Sequence, residues 1–553
     1  MNTQNNGIRA SSDEGWRWDY PSYSLFVQNI STEIKEVVRN RPRLAWTIIG
    51  TILLGAYIFR HDWHPYLLLL RIYAGAFGLA ALCAFAGWFL VSVVASQKLA
   101  RYLKPIGAFC GITLVALGAA YGHEWHSYFA QYWRYQTLSL AELNRLPTSE
   151  HERTWALHGV YTFARQQMNE TEAPTQPNLV RVGDTYDWTM GVEPTSPVLR
   201  FMDPVDEVVS IDSTITSFEL RRSKNAHFDT GEKLLFSRNI FTCVRRSFWF
   251  WNAFTYEPSE TVLYLHNDQG DWVQGVPLIR WVGYAFPRPE FGGVYIIKQS
   301  GGHAWYRKPL ESLKRVFLGC GTWIQPEDIK DHAYLVGQNL VPVEVSRFMA
   351  SSIRFQNGLW APQKWRKEGD IRIPDLPEDV NPQPFTLFFN VRMGEREFSK
   401  LYHYFGLEPS DPDKQGLAVS LWVPADGIGP SYVYRHFGRS ESLTGVSAVG
   451  GLVRASKREY DWTQNMPVEH RPYLREIADE KGVVDVRFGW LTTVVTIDKS
   501  HASEEGDPHG FITGTPEIAI TDARLKEVIW VNRQRPEKWP DQLRGELGGK
   551  WAE

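Results

Sequence analysis

The pattern of apolar and polar positions divides the chain into a strongly apolar N-terminal part and a longer part of mixed patterning. Three runs near the N-terminus carry no ionised side chain in their interiors. At about 1.5 Å per residue, such runs approach or exceed the roughly 30 Å hydrocarbon core of a bilayer. The sequence therefore predicts three transmembrane helices, over residues 44–60, 72–95 and 105–121.

The distribution of lysine and arginine predicts the orientation of these helices. Basic residues precede the first run and separate the second from the third. Basic loops stay in the cytoplasm, so residues 1–43 are expected to be a cytoplasmic tail. An integral membrane protein follows, with membrane lipid around it and the bulk of the chain extracytoplasmic. If the third run is instead a buried helix of the following domain, the large domain is cytoplasmic.

Small residues recur at helical spacing within the apolar runs. The second run has alanine at every fourth position, and the third contains a G-x-x-x-G pair. Such faces let helix backbones approach closely in a membrane. They predict packing of the helices within one chain or self-association between copies, through Ala76, Ala80, Ala84, Gly107 and Gly111.

Period-two alternation dominates the rest of the chain and predicts strands. The clearest case is a hairpin formed by Thr261–His266 and Trp272–Ile279, with further strands expected at 197–199, 207–211, 482–488, 491–497, 517–521 and 527–531. Helical spacing predicts helices over Val343–Phe355 and Met393–Phe405. The predicted fold class is a membrane-anchored α+β protein with mainly antiparallel sheets.

A proline-rich segment over residues 361–384 reads as an extended connector. It is expected to separate an extracytoplasmic β-rich domain, residues 122–360, from a second extracytoplasmic α+β domain, residues 385–553. A block of this size is long enough to bury two cores.

Composition narrows the functional classes. The 59 basic and 62 acidic residues give a formal net charge of −3, which does not favour a nucleic-acid partner. A mean hydropathy of −0.31 excludes a transporter with most of its mass in the bilayer. A hydrophobic content of 43% and an aromatic content of 14% exclude a disordered chain.

An H-[DE]-W-H-x-Y element occurs twice, after the first and after the third apolar run. Two imidazoles at i and i+3 lie on one side of a helix, and two such pairs are able to supply four nitrogens to zinc, copper or haem. The element also suits the headgroup region, where tryptophan and tyrosine concentrate. The candidate ligands of a metal or haem are His61, His64, His123 and His126.

Two further features have alternative interpretations. Cys243 and Cys320 form a candidate disulfide that would close a loop of about 78 residues, or they are two separate buried thiols. The densest aromatic cluster is either a contact for a partner or membrane, or part of a packed core. It consists of Phe248, Trp249, Phe250 and Trp251.

The sequence shows no catalytic signature, and a non-enzymatic role is favoured. The predicted function is that of a membrane-anchored structural or interaction protein, a component of an envelope-associated assembly with protein partners or self-association. The alternative is a metal- or haem-binding membrane protein built on the paired histidine elements. A third interpretation, a ligand-binding sensor, requires a separate signalling partner.

Overall fold

Apolar side chains alternate along most of the chain, and the fold is accordingly mostly β-sheet with some helices. The computed structural model describes residues 42–94, 125–149, 153, 155–182, 185–213, 219–284, 286–300, 308–362, 369–374, 383–393, 396–411, 416–436, 443–478, 484–498 and 511–531. Residues 1–60 and 61–553 form two separate units.

Among the described residues, three helices precede the first strand and the others lie between strands in the chain. In chain order they are α1 (Pro42–Ile58), α2 (Arg60–Val94), α3 (residues 125–137), α4 (Leu157–Gln166), α5 (Pro197–Met202), α6 (Ile240–Ser247), α7 (Phe250–Ala253), α8 (Lys308–Leu318), α9 (Val343–Ser352) and α10 (Val446–Ser456). Three short 3-10 helices cover Phe236–Arg238, Pro326–Asp331 and Ile353–Phe355.

The described strands form four sheets. The first contains β1 (Leu140–Glu142), β2 (Thr148–Ser149), β13 (Ile371–Arg372), β14 (Phe385–Met393), β15 (Arg396–Pro409), β16 (Val419–Pro424) and β17 (Ser431–Arg435). The second contains β3 (Glu172–Pro174), β4 (Asn178–Val182), β5 (Thr185–Pro194), β6 (Glu207–Asp212) and β7 (Leu220–Ser223). The third contains β8 (Tyr256–Pro258), β9 (Leu263–His266), β10 (Trp272–Val282), β11 (Arg288–Lys298) and β12 (Thr322–Ile324). The fourth contains β18 (Asn465–Ala478), β19 (Val484–Asp498), β20 (Phe511–Asp522) and β21 (Val528–Trp530).

Most strand pairs are antiparallel hairpins, as the alternation in the sequence indicates. The predicted hairpin is confirmed, because β9 pairs with β10 from Trp272 opposite His266. Its turn is fixed by the Asn267 side chain, whose Oδ1 accepts hydrogen bonds from two turn N–H groups, and by Gly270 at a φ of 82°. β1 is different, since it pairs in parallel with β17.

The apolar cores join segments that are distant in sequence. One core cluster packs Val345 and Met349 of α9 against Phe405 and Leu407 of β15. Residues on both sides of the predicted connector at 361–384 therefore share one core. The domain boundary at that connector stays a prediction.

The predicted membrane anchoring is wrong. Across the part of the chain that the structure describes, no helix combines the length and the apolar character that a bilayer crossing requires. The run at 44–60 falls largely in α1, whose 17 residues extend about 26 Å, less than the roughly 30 Å core. This finding overturns the membrane-anchored fold class, the transmembrane helices and the integral-membrane localisation with a cytoplasmic tail and an extracytoplasmic bulk.

The other two predicted spans have different outcomes. The run at 72–95 lies in α2 as far as Val94, and this helix begins at Arg60 and includes the segment that we expected to be a loop. Residues 61–71 of α2 pack on the folded protein along one side, where His64 and Leu68 are buried. The run at 105–121 lies outside the described residues.

Two local predictions also fail. Residues 393–405 were expected to be helical, but they belong to the β14–β15 hairpin. Leu401, Tyr402 and Phe405 are all buried there, so both faces of β15 are apolar and the period-two signal disappears. The segment 197–199 begins α5 rather than a strand, because Pro197 occupies the first turn of the helix, where its missing N–H costs nothing.

Candidate functional site

The first histidine element attaches the start of α2 to the third sheet. The Nε2 atom of His64 lies 2.8 Å from the carbonyl oxygen of Tyr256, and the His64 ring stacks on Phe248 with centroids 5.6 Å apart. Burial lowers the pKa of His64 to about 4, so the ring is neutral at pH 7 and its Nε2–H donates to that carbonyl. Nearby, the Arg246 Nε donates to Nδ1 of His61 at 3.2 Å.

The second element contacts the tip of the β10–β11 hairpin. The His126 ring lies 6.0 Å from Phe286, and α2 reaches the same tip through Arg71, which donates to the Trp281 carbonyl oxygen at 3.1 Å. His123 lies outside the described residues. Within the described ranges, no group of three or more histidine, cysteine or acidic side chains is placed to hold a metal ion. The metal or haem site stays a prediction, and the cationic Arg246 beside His61 does not favour it.

The two candidate cysteines meet in the structure. A disulfide joins Cys243 of α6 to Cys320, with Cα atoms 5.5 Å apart, within the usual range for such a bond. Ser247 strengthens the same junction, because its Oγ accepts from the Cys320 N–H at 2.9 Å and donates to the Cys320 carbonyl at 3.0 Å. The end of α6 is thereby fixed at its last turn.

The aromatic cluster that follows α6 is split between core and surface. Phe248 is buried, whereas Trp249 and Trp251 are 80% and 75% exposed. The side chain of Phe250 lies outside the described part of the chain. The packed-core interpretation therefore holds for Phe248, and contact of Trp249 and Trp251 with a partner stays a prediction.

A second exposed apolar surface precedes α6 in the chain. α5 has no buried residue, although its sequence is almost entirely apolar. The Phe201 ring meets the Phe236 ring edge to face, with centroids 5.9 Å apart. We call this surface the α5 patch, and its members are Val198 (64% exposed), Phe201 (58%), Met202 (60%), Leu235 (37%) and Phe236 (72%).

Hydrogen bonds fix the two halves of the α5 patch to each other. The Leu235 N–H donates to the carbonyl oxygen of Arg200 at 3.4 Å, and the Arg238 guanidinium donates to the carbonyl oxygen of Phe201 at 2.9 Å. The Arg200 Nε donates to the Pro194 carbonyl oxygen at 2.9 Å, which ties α5 to the end of β5. The exposed side chains thus project from an ordered backbone.

A buried carboxylate holds the loop that leads to Phe236. Glu193 of β5 is 1% exposed and accepts hydrogen bonds from the backbone N–H groups of Glu232 and Lys233, at 2.5 and 2.8 Å. Burial raises the pKa of Glu193, while these two N–H groups oppose the rise. Burial, and secondarily the neighbouring Glu193, raises the pKa of Glu232 to about 8. The Glu232 carboxyl is therefore protonated at neutral pH, beside the buried Glu193.

The backbone at Phe236 is unusual. Its φ is 56°, in the left-handed region that side chains with a Cβ rarely adopt. This conformation costs about 1–2 kcal/mol for a residue other than glycine. A phenylalanine that is 72% exposed in this conformation contributes little to the core.

One buried cluster resembles a catalytic arrangement without its accessibility. Ser346 Oγ lies 2.6 Å from Nδ1 of His403, whose Nε2 lies 2.6 Å from the Asn339 Oδ1. Ser346 and His403 have no exposed surface, and burial lowers the pKa of His403 to about 4. A substrate does not reach the Ser346 hydroxyl or the His403 ring in the folded chain, and their hydrogen bond joins α9 to β15.

Sequence reasoning identified the Trp249–Trp251 segment but missed the α5 patch. A usable signal was present, because proline after serine begins a helix and the following residues offer only one charge, Arg200. The helix-packing candidates are not tested: the side chains of Ala76, Ala80 and Ala84 and the whole of Gly107 and Gly111 lie outside the description.

Comparison of the chain with known proteins finds no matching family model, no matching curated protein and no matching solved structure.

Proposed function

We propose that this chain is an interaction protein that binds a protein partner through the α5 patch. The single observation that supports the proposal is the exposure of five clustered apolar side chains on an ordered backbone. Contiguous exposed apolar patches often mark interaction sites. Aromatic residues and methionine are also the types that contribute most at such interfaces.

The charges near the patch favour a protein over a lipid surface. Arg238 lies within electrostatic reach of Arg315 and of Asp203, Asp206 and Asp229. Binding to anionic lipid requires an excess of basic residues, whereas a mixed polar rim around an apolar centre is typical of protein interfaces. The exposed Trp249 and Trp251, at the other end of α6 in the chain, offer a second anchor of the same kind.

Photo-crosslinking followed by reconstitution tests this function. A photoreactive phenylalanine analogue replaces Val198 in the full chain, and mass spectrometry identifies the crosslinked protein, including a second copy of this chain. The identified protein is then purified and titrated. We expect Phe201→Ser to weaken its binding by at least about tenfold, since central aromatic anchors are often worth 2 kcal/mol or more.

Leu525→Ser is the matched control, because Leu525 is an apolar residue with 54% exposure in the β20–β21 turn. It should leave binding unchanged. Absence of any specific adduct, or equal weakening by both substitutions, would contradict the proposed function.

A further inference from the structure

Two titratable side chains, Glu193 and Glu232, lie beside the loop that leads to Phe236 of the α5 patch. Glu193 makes two hydrogen bonds to the backbone of residues 232 and 233, which lie only three or four positions before Phe236. The Glu232 carboxyl also has a buried Oε1 that makes no hydrogen bond within the described chain. A carboxylate oxygen in that position is costly, whereas a protonated carboxyl carries no charge to desolvate.

We propose that Glu193 and Glu232 form a proton-dependent latch for partner binding. While Glu232 is protonated, Glu193 holds the 232–233 backbone and Phe236 stays against Phe201. When Glu232 loses its proton, a charge is left in a buried place beside the Glu193 carboxyl, and both burial and that neighbour disfavour it. Glu232 is the partly exposed member, so it moves to solvent and displaces the loop. This inference rests on the proposed function, because it names the regulation of the same patch.

The surrounding groups do not neutralise the second charge. Thr175 and the Gln176 N–H donate to Glu232, and Lys233 and Arg200 supply the nearest positive charges on Glu193. Arg200 is also bonded to the Pro194 carbonyl oxygen, and Lys233 is exposed to solvent. On the β9 side, the fully buried Tyr264 hydroxyl faces both carboxyl groups and stays protonated, since their charges raise its pKa further.

The test follows Phe236 directly and needs no partner. A single 4-fluorophenylalanine is placed at Phe236 in the full chain, and its fluorine NMR shift is recorded from about pH 6 to about pH 10. We expect a reversible transition with a midpoint near pH 8. Glu232→Gln should abolish it and keep the low-pH shift, whereas Glu260→Gln, a substitution at an exposed position, should leave it intact.

A wild-type shift that is constant across this range, or a transition that persists in Glu232→Gln, would overturn the latch. If Glu232→Gln fails to fold, carbon NMR of the wild-type chain labelled at the glutamate carboxyls decides instead. One carboxyl must then titrate near pH 8, and its absence overturns the latch. If the pH-dependent transition is observed but the crosslinking experiment finds no partner, the latch stands and only the proposed function is rejected.

Discussion

Replacement of Phe236 by glycine should separate stability from partner binding. The left-handed φ of 56° costs a side chain with a Cβ about 1–2 kcal/mol, and glycine removes this cost. Glycine adds about 0.5–1 kcal/mol of entropy to the unfolded chain. Because Phe236 is 72% exposed, little apolar burial is lost. The net expectation is a gain in the free energy of unfolding of about 0.5–1 kcal/mol, together with loss of partner binding.

Lys526→Gly is the matched control, because Lys526 also has a left-handed φ, of 61°, and is exposed in the β20–β21 turn. It should give the same gain in stability without affecting binding. Urea unfolding of both variants measures the shift of the midpoint at a constant slope. If Phe236→Gly lowers the midpoint while Lys526→Gly raises it, Phe236 is packing in the fold and the patch argument fails. If both substitutions lower it, the strain argument is wrong.

Three further predictions concern the groups around this surface. Relative to Glu232→Gln, the wild-type chain should lose about 2–4 kcal/mol of stability as the pH rises from 4.5, the ordinary pKa of glutamate, to about 8, because the folded state binds the Glu232 proton more tightly than the unfolded state; denaturation of both chains across this range measures the difference, in which the opposite contribution of the buried histidines cancels, and a difference that stays constant would contradict the reasoning. Replacing both Cys243 and Cys320 by alanine should cost about 3–5 kcal/mol, given a separation of 77 residues, and reduction of the wild type should reproduce the loss in urea unfolding. Gly191→Ala should cost about 1–3 kcal/mol in the same assay, because the new methyl group would overlap the buried Tyr264 phenol; an unchanged midpoint would show that this ring moves freely.

Sequence patterning anticipated the β9–β10 hairpin, although both strands are buried on both faces, because Asn267 and Gly270 mark the turn between them. It failed on β15, where Leu401, Tyr402 and Phe405 are buried although they lie on both faces, so their helical spacing is a coincidence of burial. The apolar runs at the N-terminus were interpreted as transmembrane helices from their length and composition alone. The pattern carried no information that His64 and Arg71 of α2 bind backbone carbonyls of the third sheet.

Only part of the candidate site could be predicted from the sequence, for a related reason. Four consecutive aromatic residues indicate an important segment, but only the turn after α6 decides that Phe248 faces inward and Trp249 outward. The α5 patch depends on contact between residues 201 and 236, which are far apart in the chain. The carboxyl pair at its base joins residues 193 and 232 in the same way, and no local motif encodes either contact.

Closure of the fold depends on segments made at very different times during synthesis. Ser149 at the end of β2 donates to the Leu474 carbonyl oxygen across 325 residues, and the buried Arg153 pairs with Glu469 across 316. At about 5–20 residues per second, the ribosome takes on the order of 15–60 s to deliver those partners. Throughout that interval the nascent chain presents an incomplete edge and a charged side chain destined for the interior, which makes it a natural client for folding assistance.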